Sequence, residues 1–251
     1  MISCYLQGGL GNYMFQIAAT ESLVKKNNDK AVFDFKNYSQ IHKPLETYKD
    51  NILRKVNVGE VFYDKEYNEP FFEYNEIPYH SDMLLKGYFQ SEKYFDEKVV
   101  RELFSIDNNS KNYINDKYGD LLEKKTTSIH IRRGDFLDRL DRHPVQSMDY
   151  FNKAIEHFDD NIFLIFSDDI NWCKENFKGN NFVFIEGETD YIDLYLMSMC
   201  KNNIISNSSF SWWGAWLNEN NEKIVISPSI WFGNSKNLNT RDIYCDNWIV
   251  I

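Results

Sequence analysis

The segment HIRRGDF, residues 130–136, puts two guanidinium groups, an imidazole and a carboxylate into one short run: Arg132, Arg133, His130 and Asp135. Arginine forms paired, charge-assisted hydrogen bonds to phosphate, each worth roughly 1.5–3 kcal/mol. Such a cluster suits a phosphate or diphosphate ligand, with Asp135 holding an arginine or accepting from a ribose or sugar hydroxyl. The alternative is a structural Arg–Asp pair, and the second arginine and the histidine weigh against it. The chain has seven arginines, and four of them (Arg132, Arg133, Arg139, Arg142) fall between 132 and 142, so the cationic charge is concentrated there.

Three other stretches carry polar chemistry. GGLGN, Gly8 to Asn12, is neither a Walker loop, since no GK[ST] follows, nor a full dinucleotide fingerprint, since Met14 replaces the last glycine. Gly9 and Gly11 can let a ligand approach backbone N–H groups at a helix start, or the segment is a plain turn with Asn12 as N-cap. In FSDD the adjacent carboxylates Asp168 and Asp169 point in different directions on an extended strand, which disfavours one metal held by both. Ser167 and either aspartate can contact a base, or an aspartate caps the next helix. In SNSSFSWWGAWL, the residues Ser206, Asn207, Ser208, Ser209 and Phe210 offer hydroxyls, an amide and helix-start N–H groups suited to phosphate. Trp212, Trp213 and Trp216 read as core ahead of sugar stacking. A fourth stretch, GYFQSEKYF from Gly87 to Phe95, either lines a cleft wall or is an N-capped helix start at Ser91.

The elements that must position these residues alternate. The opening reads as strand (ISCYLQ), glycine turn, helix (YMFQIAATESLVKKNN) and strand (KAVFDF), a β-α-β unit. Residues 36–118 have weak periodicity, apart from a strand at LLKGYF and a helix from Ser91 to Phe104. From 124 onward strands and helices alternate regularly, as in an open doubly wound sheet. RRGD, SDD and SNSS then fall at strand C-terminal ends, where such sheets bind ligands. The expectation is an α/β fold with two Rossmann-like lobes facing a cleft, divided as 1–123 and 124–251.

The chain has 251 residues and a formal net charge of −10. That argues against a nucleic-acid partner but not against a local anion site. Cys4, Cys173, Cys200 and Cys245 lack metal or redox spacing, and free thiols suit the cytoplasm. The N-terminus does not read as a signal peptide, and the longest apolar run, IFLIF, is too short to span a bilayer.

GGLGNYMFQIA, GYFQSEKYF, HIRRGDF, DYFNKAI, FSDD and SNSSFSWWGAWL, in this order from residue 8 to about 217, resemble the motif blocks of bacterial α-1,2-fucosyltransferases of glycosyltransferase family 11. The resemblance implies a GT-B fold and inverting transfer of L-fucose from GDP-L-fucose to the 2-hydroxyl of a terminal galactose on a glycan, with no metal or other cofactor. It implies that Arg132 grips the donor diphosphate with His130 and Asp135 nearby, and that Asn12 faces the reaction centre. Ser167 to Asp169 and Ser206 to Phe210 would lie along the nucleotide, with Gly9, Gly11 and Arg133 also on the donor. Peripheral contact with a membrane where lipid-linked glycans are built is compatible with this. Tyr13 stands where the family has Gln and Ile17 where it has Tyr, which bears on acceptor choice. Asp138 and Asp141 are candidate bases. The competing readings are a transferase for another nucleotide sugar or a protein acceptor, and a non-catalytic nucleotide-sugar binder.

Overall fold

The computed structural model describes residues 1–36, 39–40 and 43–251. The chain divides into two compact units, Met1–Asp107 with Leu238–Cys245, and Asn108–Asn237 with Asp246–Ile251.

The first unit contains β1 (Ile2–Cys4), β2 (Gln7–Gly8), α1 (Leu10–Lys26), β3 (Ser39–Gln40), β4 (Lys65–Asn68), β5 (Met83–Lys86) and α2 (Glu97–Leu103). A parallel sheet has the order β1-β5-β4, and β2 pairs with β3 in parallel. α1 buries Tyr13, Met14, Phe15, Gln16, Ile17 and Thr20, which point to all sides of its axis, so it sits inside the unit and not on its surface. Its end carries Lys25 and Lys26 where the helix dipole favours cations.

Two sequence expectations change here. The strand expected over KAVFDF reduces to isolated bridges, because Ala31 pairs with Ile2 while Phe33 pairs with Val58, and no continuous ladder forms. The helix expected from Ser91 begins at Glu97. Ser91 instead caps a 3-10 turn by accepting from Lys93 N–H, and Asp96 caps α2 by accepting from Val99 N–H. Two N-caps so close together split the segment into separate turns.

The second unit contains α3 (Asn108–Leu122), β6 (Thr126–Ile131), α4 (Met148–Ile155), β7 (Ile162–Ser167), α5 (Ile170–Asn176), β8 (Phe182–Phe184), α6 (Asp190–Met199), β9 (Asn202–Ile204), α7 (Ser209–Trp216), β10 (Val225–Ser227) and β11 (Ile249–Val250). Its six-stranded sheet runs β11-β10-β9-β6-β7-β8 with every pairing parallel. The chain starts the sheet in the middle at β6, builds outward through β7 and β8, then returns beside β6 with β9. That reversal makes the gap between the ends of β6 and β9 a topological switch point, where doubly wound sheets bind ligands. β6 is buried along its whole length, as a central parallel strand must be.

Helices are expected in the weakly periodic stretch up to residue 118, but α3 could not be delimited from sequence because it is polar and buries only Ser110 and Ile114. Tyr113, Lys117 and Tyr118 tie it to the carboxylate of Glu188. Trp212 and Trp213 are fully buried and Trp216 nearly so, with Trp248 packed on Trp212, so the tryptophans of α7 are core. Both units are α/β with parallel sheets.

Candidate active site

Three strand ends, those of β9, β6 and β7, lie side by side and carry the polar tips expected from the sequence. His130, on β6, is buried, and its Nδ1 lies 2.9 Å from Ser206 Oγ beyond β9. One hydrogen bond thus crosses the switch point. The ring also sits 5.5 Å from that of Phe210. Burial, and then the charge of Arg132, push the His130 pKa down to about 3, so the imidazole is neutral at pH 7. It joins strands and donates or accepts a hydrogen bond, but it adds no cation to the site.

The two arginines beyond β6 differ in their surroundings. Arg132 Nη2 is 2.6 Å from Asp135 Oδ1 and its Nη1 is 3.1 Å from Asp168 Oδ2. Arg133 donates from Nε to Asp169 Oδ2 at 3.0 Å, and its guanidinium lies 4.0 Å over the ring centroid of Trp172. The Arg133 side chain is 16% exposed and that of Arg132 is 28% exposed. A planar cation stacked on an indole and paired with a carboxylate is committed internally. Arg132 is the more exposed of the two, though it is paired with two carboxylates and lies 5.7 Å over the Phe136 ring.

Asp168 organises this corner. It accepts from Arg133 N–H at 2.9 Å as well as from Arg132. A Cβ on Gly134 would stand 2.6 Å from Asp168 Oδ2, so only glycine lets the carboxylate sit there. Asp169 caps α5 by accepting from Trp172 N–H at 3.3 Å, while its own N–H donates to Ser167 Oγ at 2.9 Å. The capping alternative therefore describes Asp169, and Asp168 serves the arginines. Asp138 and Asp141, weighed as bases, are exposed on the following loop.

Ser206 is buried against His130. The Asn207 carboxamide, read from the sequence as a donor contact, is engaged at both ends. Nδ2 donates to the carbonyls of Pro144 and Trp231, each at 3.0 Å, and Oδ1 accepts from Gln146 Nε2 at 3.0 Å. Its side chain fastens two loops. Ser208 is the N-cap residue of α7 without a side-chain cap bond. Ser209 and Phe210 occupy the first turn, whose N–H groups have no partner within a helix; all three residues are half-buried.

Gly9, Gly11 and Asn12 belong to the first unit. Gly9, not Asn12, is the N-cap residue, and Gly11 is buried inside α1. Asn12 lies in the first turn of the helix, its Oδ1 accepting from Gln90 Nε2 at 2.7 Å. Gly8 has φ of +94°, and a Cβ there would stand 2.2 Å from Asn12 Nδ2. The turn at Gly8 thus makes room for the Asn12 side chain. Trp172 and Gln146 escaped the sequence reading as site residues, while Gln90 lies in the GYFQSEKYF stretch weighed as a cleft wall. Trp172, placed three residues after the Asp169 cap, gave the clearest available signal. Among the described residues, no three His, Cys, Asp or Glu side chains cluster as a metal-binding group.

A model described as glycosyl transferase family 11 matches residues 1–251. The O-antigen biosynthesis glycosyltransferase WbnK of Escherichia coli is 34% identical, over 99% of each chain. An alpha-1,2-colitosyltransferase of Escherichia coli is 32% identical, over 98% of this chain and 97% of the relative. Among solved structures, the NodZ alpha-1,6-fucosyltransferase co-crystallised with GDP has a TM-score of 0.58 at 13% identity, covering 85% of this chain and 91% of that one.

Proposed function

The chain belongs to glycosyl transferase family 11, and from that premise we propose that it moves L-fucose from GDP-L-fucose to the 2-hydroxyl of a terminal galactose on a glycan, with inversion and without a metal ion. The placement of Arg132 supports this most directly. It is the more exposed arginine at the end of a central parallel strand, beside a switch point bridged by His130 and Ser206.

In the transfer, the bond between the sugar's anomeric carbon and the β-phosphate oxygen breaks, and the electron pair leaves with GDP. The acceptor oxygen bonds to the opposite face of that carbon, and its proton passes to a carboxylate base, for which the exposed Asp138 and Asp141 are the candidates. Negative charge grows on the leaving phosphate, and a fixed guanidinium aimed there lowers the barrier. Two arginines face three aspartates at this corner: Arg132 and Arg133 against Asp135, Asp168 and Asp169. The carboxylates hold the cations in place before a donor arrives. Asp135 is the most exposed partner, at 46%, so it is the contact a diphosphate oxygen would replace on Arg132. Asp168 then keeps the guanidinium aligned, and Arg133, braced on Trp172, keeps Asp169 and the end of β7 in register. The first-turn N–H groups of α7 supply further donors. Asn12 is assigned to the reaction centre from the first unit.

A colitosyl donor is the specific rival, favoured by the relative named for that transfer and matched along nearly its whole length. Colitose lacks the 3-hydroxyl of fucose, so a site that hydrogen-bonds this hydroxyl would discriminate against it strongly. The test is transfer from GDP-fucose and GDP-colitose to β-galactosides in EDTA. Fucose transfer with the donor preference on its side supports the proposal, and colitose preference or a strict metal requirement contradicts it. The reaction is assigned to the cytoplasm and to polysaccharide assembly. No helix among the described residues is long and apolar enough to cross a membrane.

A further inference from the structure

In the first unit a turn at residues 87–90 links a half-buried carboxylate to Asn12. Glu69 follows β4. Its Oε2 accepts from Tyr88 N–H at 2.7 Å and from Phe89 N–H at 3.2 Å, and its Oε1 accepts from Phe89 N–H at 3.1 Å. On the other side of the turn, the Gly87 carbonyl accepts from Gln16 Nε2 at 3.0 Å. Phe89 has φ of +52°, a left-handed conformation, and its ring is fully buried edge-on to Tyr94. A non-glycine residue held there persists only where its surroundings fix it. The product of this arrangement is the placement of Gln90. Its buried Nε2 meets Asn12 Oδ1 at 2.7 Å. With that bond fixing which atom of the carboxamide faces Gln90, the Asn12 NH₂ points the other way and is free to turn toward a reacting group, beside one remaining lone pair on Oδ1.

We propose that Glu69 and Gln90 are positioning residues for the transfer step: the Glu69 carboxylate fixes the 87–90 turn, and Gln90, delivered by that turn, sets which edge of the Asn12 carboxamide is presented. This rests on the assignment of Asn12 to the reaction centre. The ionisation of Glu69 is part of the device. Burial pushes its pKa up to about 7, against the opposing pull of the Tyr88 and Phe89 N–H groups. The titratable groups around it are Cys4 on β1, Tyr67 on β4, Tyr88 after β5 and Tyr94 in the 3-10 turn, all shifted upward and neutral at pH 7. Lys86 of β5 is paired with Glu66. Among the described residues no cation is ion-paired with Glu69, and its pKa stays raised to about 7. The folded pKa is raised, so ionisation in place is disfavoured: desolvation outweighs the stronger N–H bonds to the charged form, and by linkage the turn is held less firmly above pH 7 than below it.

The test is kcat against pH for the full-length enzyme, with GDP affinity and melting temperature measured on each variant. Wild type should fall about 3–10-fold, from a high plateau to a lower one, as the pH rises through an apparent pKa near 7. Glu69→Gln, the size of protonated Glu, should be flat across this range at the upper plateau. Gln90→Glu, which keeps the size but turns an acceptor toward Asn12 Oδ1, should lose on the order of 100-fold in kcat, as a misplaced reacting group does. GDP affinity should stay within about twofold, because misplacing Asn12 leaves the second unit's donor contacts intact. A fall in kcat above pH 7 retained in Glu69→Gln, or near-normal kcat in Gln90→Glu, overturns the inference. Asn12→Ala separates the two levels. If it too is nearly fully active, the assignment of Asn12 has failed; if it is inactive while Gln90→Glu is active, only the positioning chain has failed.

Discussion

At the ends of β6 and β7, guanidinium and carboxylate groups meet at 2.6–3.1 Å, and the sheet edge is held by charge. At the start of α1 and the end of β5, the contacts run between carboxamides and backbone, with one carboxylate, Glu69, bonded only to N–H groups. The two regions nevertheless share a device. Gly134 leaves space for Asp168 as Gly8 does for Asn12, and each polar side chain rests where a Cβ would stand. The difference fits the two halves of a group transfer. Stabilising a departing diphosphate takes fixed positive charge. Orienting a sugar and an acceptor hydroxyl takes directional neutral donors and acceptors that do not bind the diphosphate in their own right.

The largest expected effect breaks the charged side of this comparison. Arg132→Ala should lower kcat about 10²–10³-fold, the usual result of removing one preorganised donor to a developing oxyanion, with the melting temperature little changed because the side chain is partly exposed. Steady-state kinetics with calorimetric melting checks both.

The pH dependence of stability sharpens the contrast, because the two regions titrate with opposite sign. His130 has a folded pKa near 3, below the ordinary value of 6.5. Between those values the unfolded chain binds more protons, so this group's contribution is complete above about pH 6.5 and is lost as the pH falls toward 3. Glu69 has a folded pKa near 7, above the ordinary 4.5. Between about 4.5 and 7 the folded chain binds more protons, so stability declines as the pH rises through that window. Glu69→Gln removes the second effect, and its stability relative to wild type should improve by roughly 2–3 kcal/mol between pH 4.5 and 8. Urea titrations at several pH values measure it.

Gly8→Ala attacks the neutral side sterically. A positive φ in a non-glycine residue costs about 1–3 kcal/mol, and the new Cβ displaces Asn12. Loss of turnover with unchanged GDP affinity is expected. The smallest effect belongs to Arg133→Lys, which gives up stacking on Trp172 and the directional bond to Asp169. It should cost about 1 kcal/mol of stability and change GDP affinity less than Arg132→Ala does, as thermal melts and GDP titration together will report.

The charged region was the easier of the two to read from sequence. Strand-ending runs such as HIRR, SDD and SNSS put unusual polar residues after apolar strands, and regular alternation fixed their common edge. Which arginine is braced and which is more exposed could not be read, because that depends on Trp172 coming under Arg133 from α5. The Asn207 side chain likewise reads as a ligand group until the carbonyls of Pro144 and Trp231 are brought to it. The first unit was harder. Its strands are short, Ala31 and Phe33 bridge to different partners, and Glu69 lies in a weakly periodic stretch where only tertiary contacts give it a role. α3 was hidden by its own polarity, since its docking runs through Glu188 and not through an apolar stripe.

The measurement that bears most directly on the division of labour is calorimetric titration of GDP into wild type, Arg132→Ala and Asn12→Ala. A diphosphate held chiefly by Arg132 predicts about 10–100-fold weaker binding for Arg132→Ala and wild-type affinity for Asn12→Ala, with transfer abolished in both. Undiminished GDP affinity in Arg132→Ala, or a loss confined to Asn12→Ala, would contradict it.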